Sequence, residues 1–155
     1  MSTSRPGDDA DDGDEDYDDA EFTIRSDAAC VAEVTITCSR CQRPFEAICI
    51  HCRSGTVFDE PLREFTVSNI HRLDPAMAEQ LRAWPNFRPQ EFPQGERGDF
   101  ANHCPSCGSP CEDTSLHDEP GDPFFDIPHA PPGTIRFTAL ADTVQLSGDE
   151  HYDID

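Results

Sequence analysis

The stretch NHCPSCG, Asn102 to Gly108, sets two cysteines three positions apart, with a proline after the first and a glycine after the second. At that spacing two thiolates sit about one turn apart on the same side of a tight turn, and backbone amides point at the sulfurs. Proline and glycine both suit such a turn. One knuckle supplies half of a tetrahedral metal site, so the fold depends on where the other half lies. Two further pairs share the C-x2-C spacing, Cys38 with Cys41 and Cys49 with Cys52, while Cys30 and Cys111 stand singly among the eight cysteines.

Two partitions are open. In the first, neighbours in sequence close on each other: Cys38, Cys41, Cys49 and Cys52 hold one ion, and Cys104, Cys107, Cys111 and either His103 or His117 hold another. In the second, the distant knuckles Cys38, Cys41, Cys104 and Cys107 share one ion. Apolar residues from Phe45 to Ile50 read as an extended strand, which carries Cys49 roughly 26 Å beyond Cys41 at 3.3 Å per residue. Zn–S bonds are about 2.3 Å, so the second partition is favoured. Cys30 precedes Cys38 by as many residues as Cys49 follows Cys41. A symmetric hairpin would therefore gather Cys30, Cys49 and Cys52 at its far end, as three buried thiols or as a second metal site completed by Cys111, His51 or His117. Four cysteinates leave no open coordination position, which makes the first site structural. Zn2+ is the expected ion; iron, as in rubredoxin-like sites, fits the same sulfurs.

The rest of the chain agrees with a metal-stapled body. Phe, Ile, Leu and Val number 29 in 155 residues, all after Glu21, enough for a small core that needs a staple. Residues 1–21 hold ten acids against Arg5 and read as a disordered acidic tail, either solubilising or docking on a basic partner. The net charge of −21 repels polyanions, and among 11 basic residues there is no lysine. Arg40, Arg43 and Arg53 form a small basic spot with Glu46 as its one acid. No stretch approaches the ~18 apolar residues of a membrane span, and the acidic N-terminus is unlike a secretory signal. With six cysteines in C-x2-C pairs, metal is favoured over disulfides and a cytoplasmic protein is expected.

Alternation predicts strands at about Val31 to Thr37 and Phe45 to Ile50, the second buried on both faces. Asp74 as N-cap, Pro75 in the first turn and the stripe Leu73, Met77, Leu81, Trp84 predict a helix over Asp74 to Trp84. Trp84 to Gly98 reads as loop, and Thr134 to Leu140 with Thr143 to Leu146 as a late hairpin before a loose acidic end. No internal repeat is read beyond the C-x2-C pairs. The fold expected is a small metal-stapled α+β domain: zinc-ribbon-like antiparallel hairpins with one inserted helix. Residues 22–120 form the ribbon-like domain with an insert over 53–103; residues 121–155 hold the Pro-rich segment, the late hairpin and the acidic C-terminus.

The run FANHCPSCGSPCEDTSLHDEPG, Phe100 to Gly121, resembles a signature of uncharacterised bacterial zinc-ribbon proteins. There an aromatic-Ala-Asn stretch leads into a Cys-Pro-x-Cys-Gly knuckle followed by Gln-Gly-Asp, apolar residues and Leu. Phe100, Ala101, Asn102, Cys104, Pro105, Cys107, Gly108, Asp113 and Leu116 fit the pattern. Cys111 and Glu112 depart from it, standing where Gln and Gly are usual. The resemblance implies that an earlier C-x2-C, here Cys38 and Cys41, completes the ribbon; it names no activity.

Catalytic constellations are absent from the sequence. His103, Asp113 and His117 read better as surroundings of the knuckle than as an acid/base set. Redox use of the dithiols would need positive charge beside the sulfurs, and only Cys41 and Cys52 have arginines close by. Nucleic-acid binding is disfavoured by the sign of the charge. The leading expectation is a structural-zinc module, not an enzyme, that contacts a protein partner. The alternatives are an acidic DNA-mimic inhibitor of a nucleic-acid enzyme and, third, a thiol redox protein.

Overall fold

Alternating apolar residues on either side of the first C-x2-C make the two strands at the heart of the fold. In the computed structural model, which describes residues 22–91, 97–111, 114–117 and 122–151, β2 (Ala29–Thr37) and β3 (Pro44–Cys52) pair without a break from Ala29↔Cys52 to Thr37↔Pro44. Because side chains alternate across a strand, this hairpin feeds two cores. One face brings Val31, Ile48 and Ile50 against Phe65, Val67 and Leu146; the other brings Ala32, Val34, Phe45, Ala47 and Cys49 against Phe124, Ile127 and Ile135. Apolar residues at both odd and even positions of Phe45 to Ile50 reflect this double burial.

Around the hairpin the chain builds an eight-stranded antiparallel sheet, ordered β10-β2-β3-β6-β11-β1-β4-β5. Its other strands are β1 (Ile24–Ser26), β4 (Gly55–Val57), β5 (Glu60–Leu62), β6 (Phe65–Leu73), β10 (Arg136–Ala139) and β11 (Val144–His151). A smaller sheet, β7-β8-β9, joins β7 (Phe87–Glu91), β8 (Arg97–His103) and β9 (Pro110–Cys111). Between the sheets runs α1 (Pro75–Gln80), continued by a 3-10 turn over Leu81–Ala83. Asp74 caps it as expected: its carboxylate accepts the Met77 amide at 2.7 Å and, from β11, the Gln145 amide at 2.9 Å. Met77 and Leu81 are buried in the first core, with Leu73 and Trp84 packed against it. A second short helix, α2 (Thr114–His117), sets Leu116 in the other core.

Three expectations are corrected. Trp84 to Gly98 is not simply loop, since β7 occupies Phe87–Glu91 and pairs with β8, which begins at Arg97; Phe87 is buried, and that burial outweighs the local Pro content. The late strands exist but are not a hairpin. β10 pairs with β2, while β11 lies between β6 and β1. Paired to each other they would form an isolated hairpin of marginal stability; apart, β11 is bonded on both edges and buries Val144 and Leu146. The acidic end is correspondingly ordered into β11 as far as His151. Within residues 53–103 and 121–155, β6 and β11 lie inside the large sheet, and the Pro-rich stretch covers the second core with Phe124, Ile127 and Ile135. Among the described residues no helix is long and apolar enough to cross a membrane. The acidic tail of residues 1–21, residues 152–155 and Asp113 lie outside the described residues.

Candidate metal centre

Two turns of the same construction face each other at one end of the β2–β3 hairpin. In the first, the Cys38 amide donates to the Arg43 carbonyl at 2.9 Å, the Gln42 amide to the Cys38 carbonyl at 2.9 Å, and Gln42 has φ 65°. In the second, the Cys104 amide donates to the Ser109 carbonyl at 2.9 Å, the Gly108 amide to the Cys104 carbonyl at 2.7 Å, and Gly108 has φ 78°. Pro44 and Pro110 open the strands that leave the two turns, each paired with the residue before the first cysteine, Thr37 and His103. The shared pattern is therefore C-x2-C-x2-P. That repeat was present in the sequence as a longer signal than C-x2-C, and it distinguishes the two knuckles from Cys49 and Cys52, which no proline follows.

The turns bring four sulfurs together. Sγ of Cys38 lies 3.6 Å from Sγ of Cys107, and Sγ of Cys41 3.6 Å from Sγ of Cys104; all four lie within 4.8 Å of one another. Tetrahedral coordination with Zn–S bonds near 2.3 Å puts sulfurs about 3.8 Å apart, so the four cysteines are positioned to bind one metal ion. None of the eight cysteines is in a disulfide.

Backbone amides serve the same centre. The Arg40 amide donates to Cys38 at 3.4 Å, that of Arg43 to Cys41, those of Cys107 and Ser106 to Cys104, and that of Ser109 to Cys107. Each sulfur thus receives the amide two residues on, an arrangement that favours the thiolate. The Ser109 hydroxyl and amide draw the exposed Cys107 down to about 6. Burial pushes Cys104 up, but the amides of Cys107 and Ser106 and the neighbouring sulfurs bring it below the usual range. At Cys41 the Arg43 amide pulls down, yet desolvation and the adjacent Cys104, Cys107 and Cys38 outweigh it and leave the thiol at about 11. Crowded sulfurs cannot all ionise cheaply by themselves, and a bound metal cation would supply the missing compensation.

Asn102 docks the second turn on the hairpin. β3 pairs with β6 only over Ile50 to Cys52; beyond that, the Asn102 side chain takes the place of a strand. Its Oδ1 accepts the Ile48 amide at 2.8 Å and its Nδ2 donates to the Ile48 carbonyl at 3.0 Å, in a site where Asn102 is buried. The sequence offered only the position of this residue before the knuckle, not its role.

Cys30, Cys49, Cys52 and Cys111 do not assemble with one another as the second ligand group. In an extended strand, residues three apart point to opposite faces: Cys49 stands opposite Ala32 in the second core and Cys52 opposite Ala29 in the first. Counting residues along the hairpin overlooked that period. Cys30 donates to the His51 carbonyl at 3.5 Å, and burial raises its pKa against the lowering influence of Arg53. Burial pushes Cys52 up to about 12 despite Ser26. Cys111 lies in β9 opposite Asn102 and packs against the second core. Among the described residues, the group of Cys38, Cys41, Cys104 and Cys107 is the one that could hold a metal.

The histidines have other surroundings. His51 is buried, with Nδ1 3.0 Å from the Thr66 hydroxyl and Nε2 2.6 Å from Glu64; desolvation lowers its pKa against the pull of that carboxylate. His103 is buried as well, Nδ1 donating to the Ala101 carbonyl at 3.0 Å, and burial with Arg88 lowers its pKa. His117 packs its ring 5.4 Å from that of Phe124. Comparison with family models, with curated proteins and with solved structures gives no match for this chain.

Proposed function

We propose that Cys38, Cys41, Cys104 and Cys107 hold one Zn2+ as a closed tetrathiolate that staples two knuckle-bearing hairpins in zinc-ribbon fashion, and that the protein is a structural-metal binding module whose role is to dock on a protein partner. The observation that carries this reading is the meeting of four sulfurs within 4.8 Å, each facing a backbone amide. With every ligand a cysteine, no position is left for water or substrate, so the ion organises the fold instead of performing chemistry. A net charge of −21 favours a basic partner over nucleic acid.

Native mass spectrometry of the purified chain tests the metal: one zinc per chain is expected, lost in Cys38→Ser and Cys104→Ser and kept in Cys49→Ser. Exchange for Co2+ should produce the intense sulfur-to-cobalt absorption of a tetrathiolate. Iron in the isolated protein would replace zinc in this reading without altering the ligands. Hydrolytic or oxidoreductase turnover abolished by a non-cysteine substitution would overturn the binding-module role.

A further inference from the structure

A groove of about 420 Å³ runs beside the four-cysteine centre, between the β2–β3 hairpin and the residues that follow α1. Glu33, Glu46, Trp84 and the prolines 44, 85 and 105 are among the residues that line it, and among the described residues the charged side chains lining it are the two glutamates. We propose that this groove receives an arginine or lysine side chain from a basic segment of a partner protein, a reading that deepens the docking role above and rests on it.

The two carboxylates come from adjacent strands, Glu33 opposite Ile48 and Glu46 opposite Thr35, so they are diagonal neighbours on one face. They already converge on one cation. Nη2 of Arg136 lies 3.0 Å from Oε1 of Glu33 and 3.7 Å from Oε1 of Glu46. One guanidinium against two carboxylates leaves the group net negative, and the Glu33 side chain is only 14% exposed, which weakens solvent screening. The Thr35 hydroxyl fixes the other oxygen of Glu46 at 2.7 Å. Trp84 adds an indole, the aromatic system that best attracts a cation. The prolines add apolar walls that lose little conformational entropy on binding. The charge of the chain decides among occupants: nucleic acid, an anionic membrane surface and a second copy of the chain are all repelled, and a cationic segment is steered in.

Trp84 is the single tryptophan, so its emission reports the groove directly. The metal-loaded full chain is titrated with an acetylated, amidated Pro-Arg-Pro-Arg-Pro peptide, with its Glu-for-Arg counterpart, and with spermidine. Saturable change with the arginine peptide alone is expected. Glu33→Gln and Glu46→Gln should each weaken it about five-fold, the scale of a partly exposed ion pair, while Glu60→Gln, at an exposed position in the edge strand β5, should leave it unchanged. Equal binding of the two peptides, no binding of either, or equal weakening by all three variants would overturn the proposal. So would spermidine binding as tightly as the peptide, which would mark a small-polycation site. Metal counted on the same samples separates the two readings: one zinc without peptide binding removes the groove and leaves the centre, and peptide binding without metal does the reverse.

Discussion

Gln42 and Gly108 occupy the same place in two separate turns, each the residue after the second cysteine and each at positive φ, 65° and 78°. Glycine adopts that conformation freely, whereas a side chain there costs roughly 1–2 kcal/mol. Gln42→Gly should therefore stabilise the metal-loaded protein by about 1 kcal/mol, and Gly108→Gln should destabilise it by a similar amount. Space is not the reason, because a Cβ at Gly108 would meet nothing within 4 Å. Chemical denaturation of both variants checks this, and opposite signs are the required outcome.

Asn102 and Ile48 make the second prediction. Asn102→Ala leaves a backbone amide and a carbonyl without their buried partner, a loss on the order of 3 kcal/mol. Asn102→Asp keeps the acceptor for the Ile48 amide but places a carboxylate against the Ile48 carbonyl, so it does not rescue. Both variants should show a lower denaturant midpoint and weaker metal retention against a chelator.

At Gly148 the cost is steric. A Cβ there would lie 2.8 Å from the Ser68 carbonyl oxygen and 2.9 Å from Val67 Cγ1, at the point where the register between β11 and β6 shifts. Gly148→Ala should destabilise the fold by about 1–3 kcal/mol through forced movement of β6. Thermal unfolding of the metal-loaded variant measures it; an unchanged midpoint would show that β6 yields freely.

Acid should act through His51. Desolvation lowers its folded pKa below 6.5 in spite of Glu64. A depressed histidine pKa means that the unfolded chain takes up the proton first as pH falls. The associated stability is complete above pH ~6.5 and is lost as pH falls through the folded pKa. The Cε1 proton of His51 followed by NMR should titrate with its midpoint below 6.5; a higher midpoint would show that Glu64 outweighs burial.

Thiol reactivity should divide the eight cysteines. In the metal-loaded protein at pH 7.5, Cys30, Cys49 and Cys52 should resist maleimide, being buried, with Cys30 and Cys52 also raised in pKa by that burial. On brief treatment with a chelator, the exposed Cys107 should react first, since Ser109 holds its thiol near 6. Peptide mapping of the labelled sites reads the order, and early labelling of Cys52 would contradict it.

Much of the centre was legible because its signals are local. The C-x2-C spacing with Pro105 and Gly108 describes a turn, and the extended pattern of Phe45 to Ile50 puts Cys49 out of reach of Cys41, so chain geometry favours Cys38, Cys41, Cys104 and Cys107 as one group, and the fold brings those four sulfurs together. Asp74, Pro75 and the Met77, Leu81 stripe likewise mark a helix by short-range chemistry. What needed the tertiary structure were the pairings between distant segments. β10 and β11 are close in sequence, yet β10 pairs with β2 along the edge of the sheet, while β11 pairs with β6 and β1 and buries Val144 and Leu146. Phe87 and Phe100, their rings 5.5 Å apart, form strands within a Pro-rich region because they pack on each other and on the first core. Glu33 and Glu46 are remote from Trp84 in sequence, and the tertiary structure brings all three to one groove, which Asn102 and Ile48 also line. Residue type and spacing decide a turn because its atoms are bonded neighbours; which strands meet is decided by the competition of all apolar faces for burial, and no single segment carries that information.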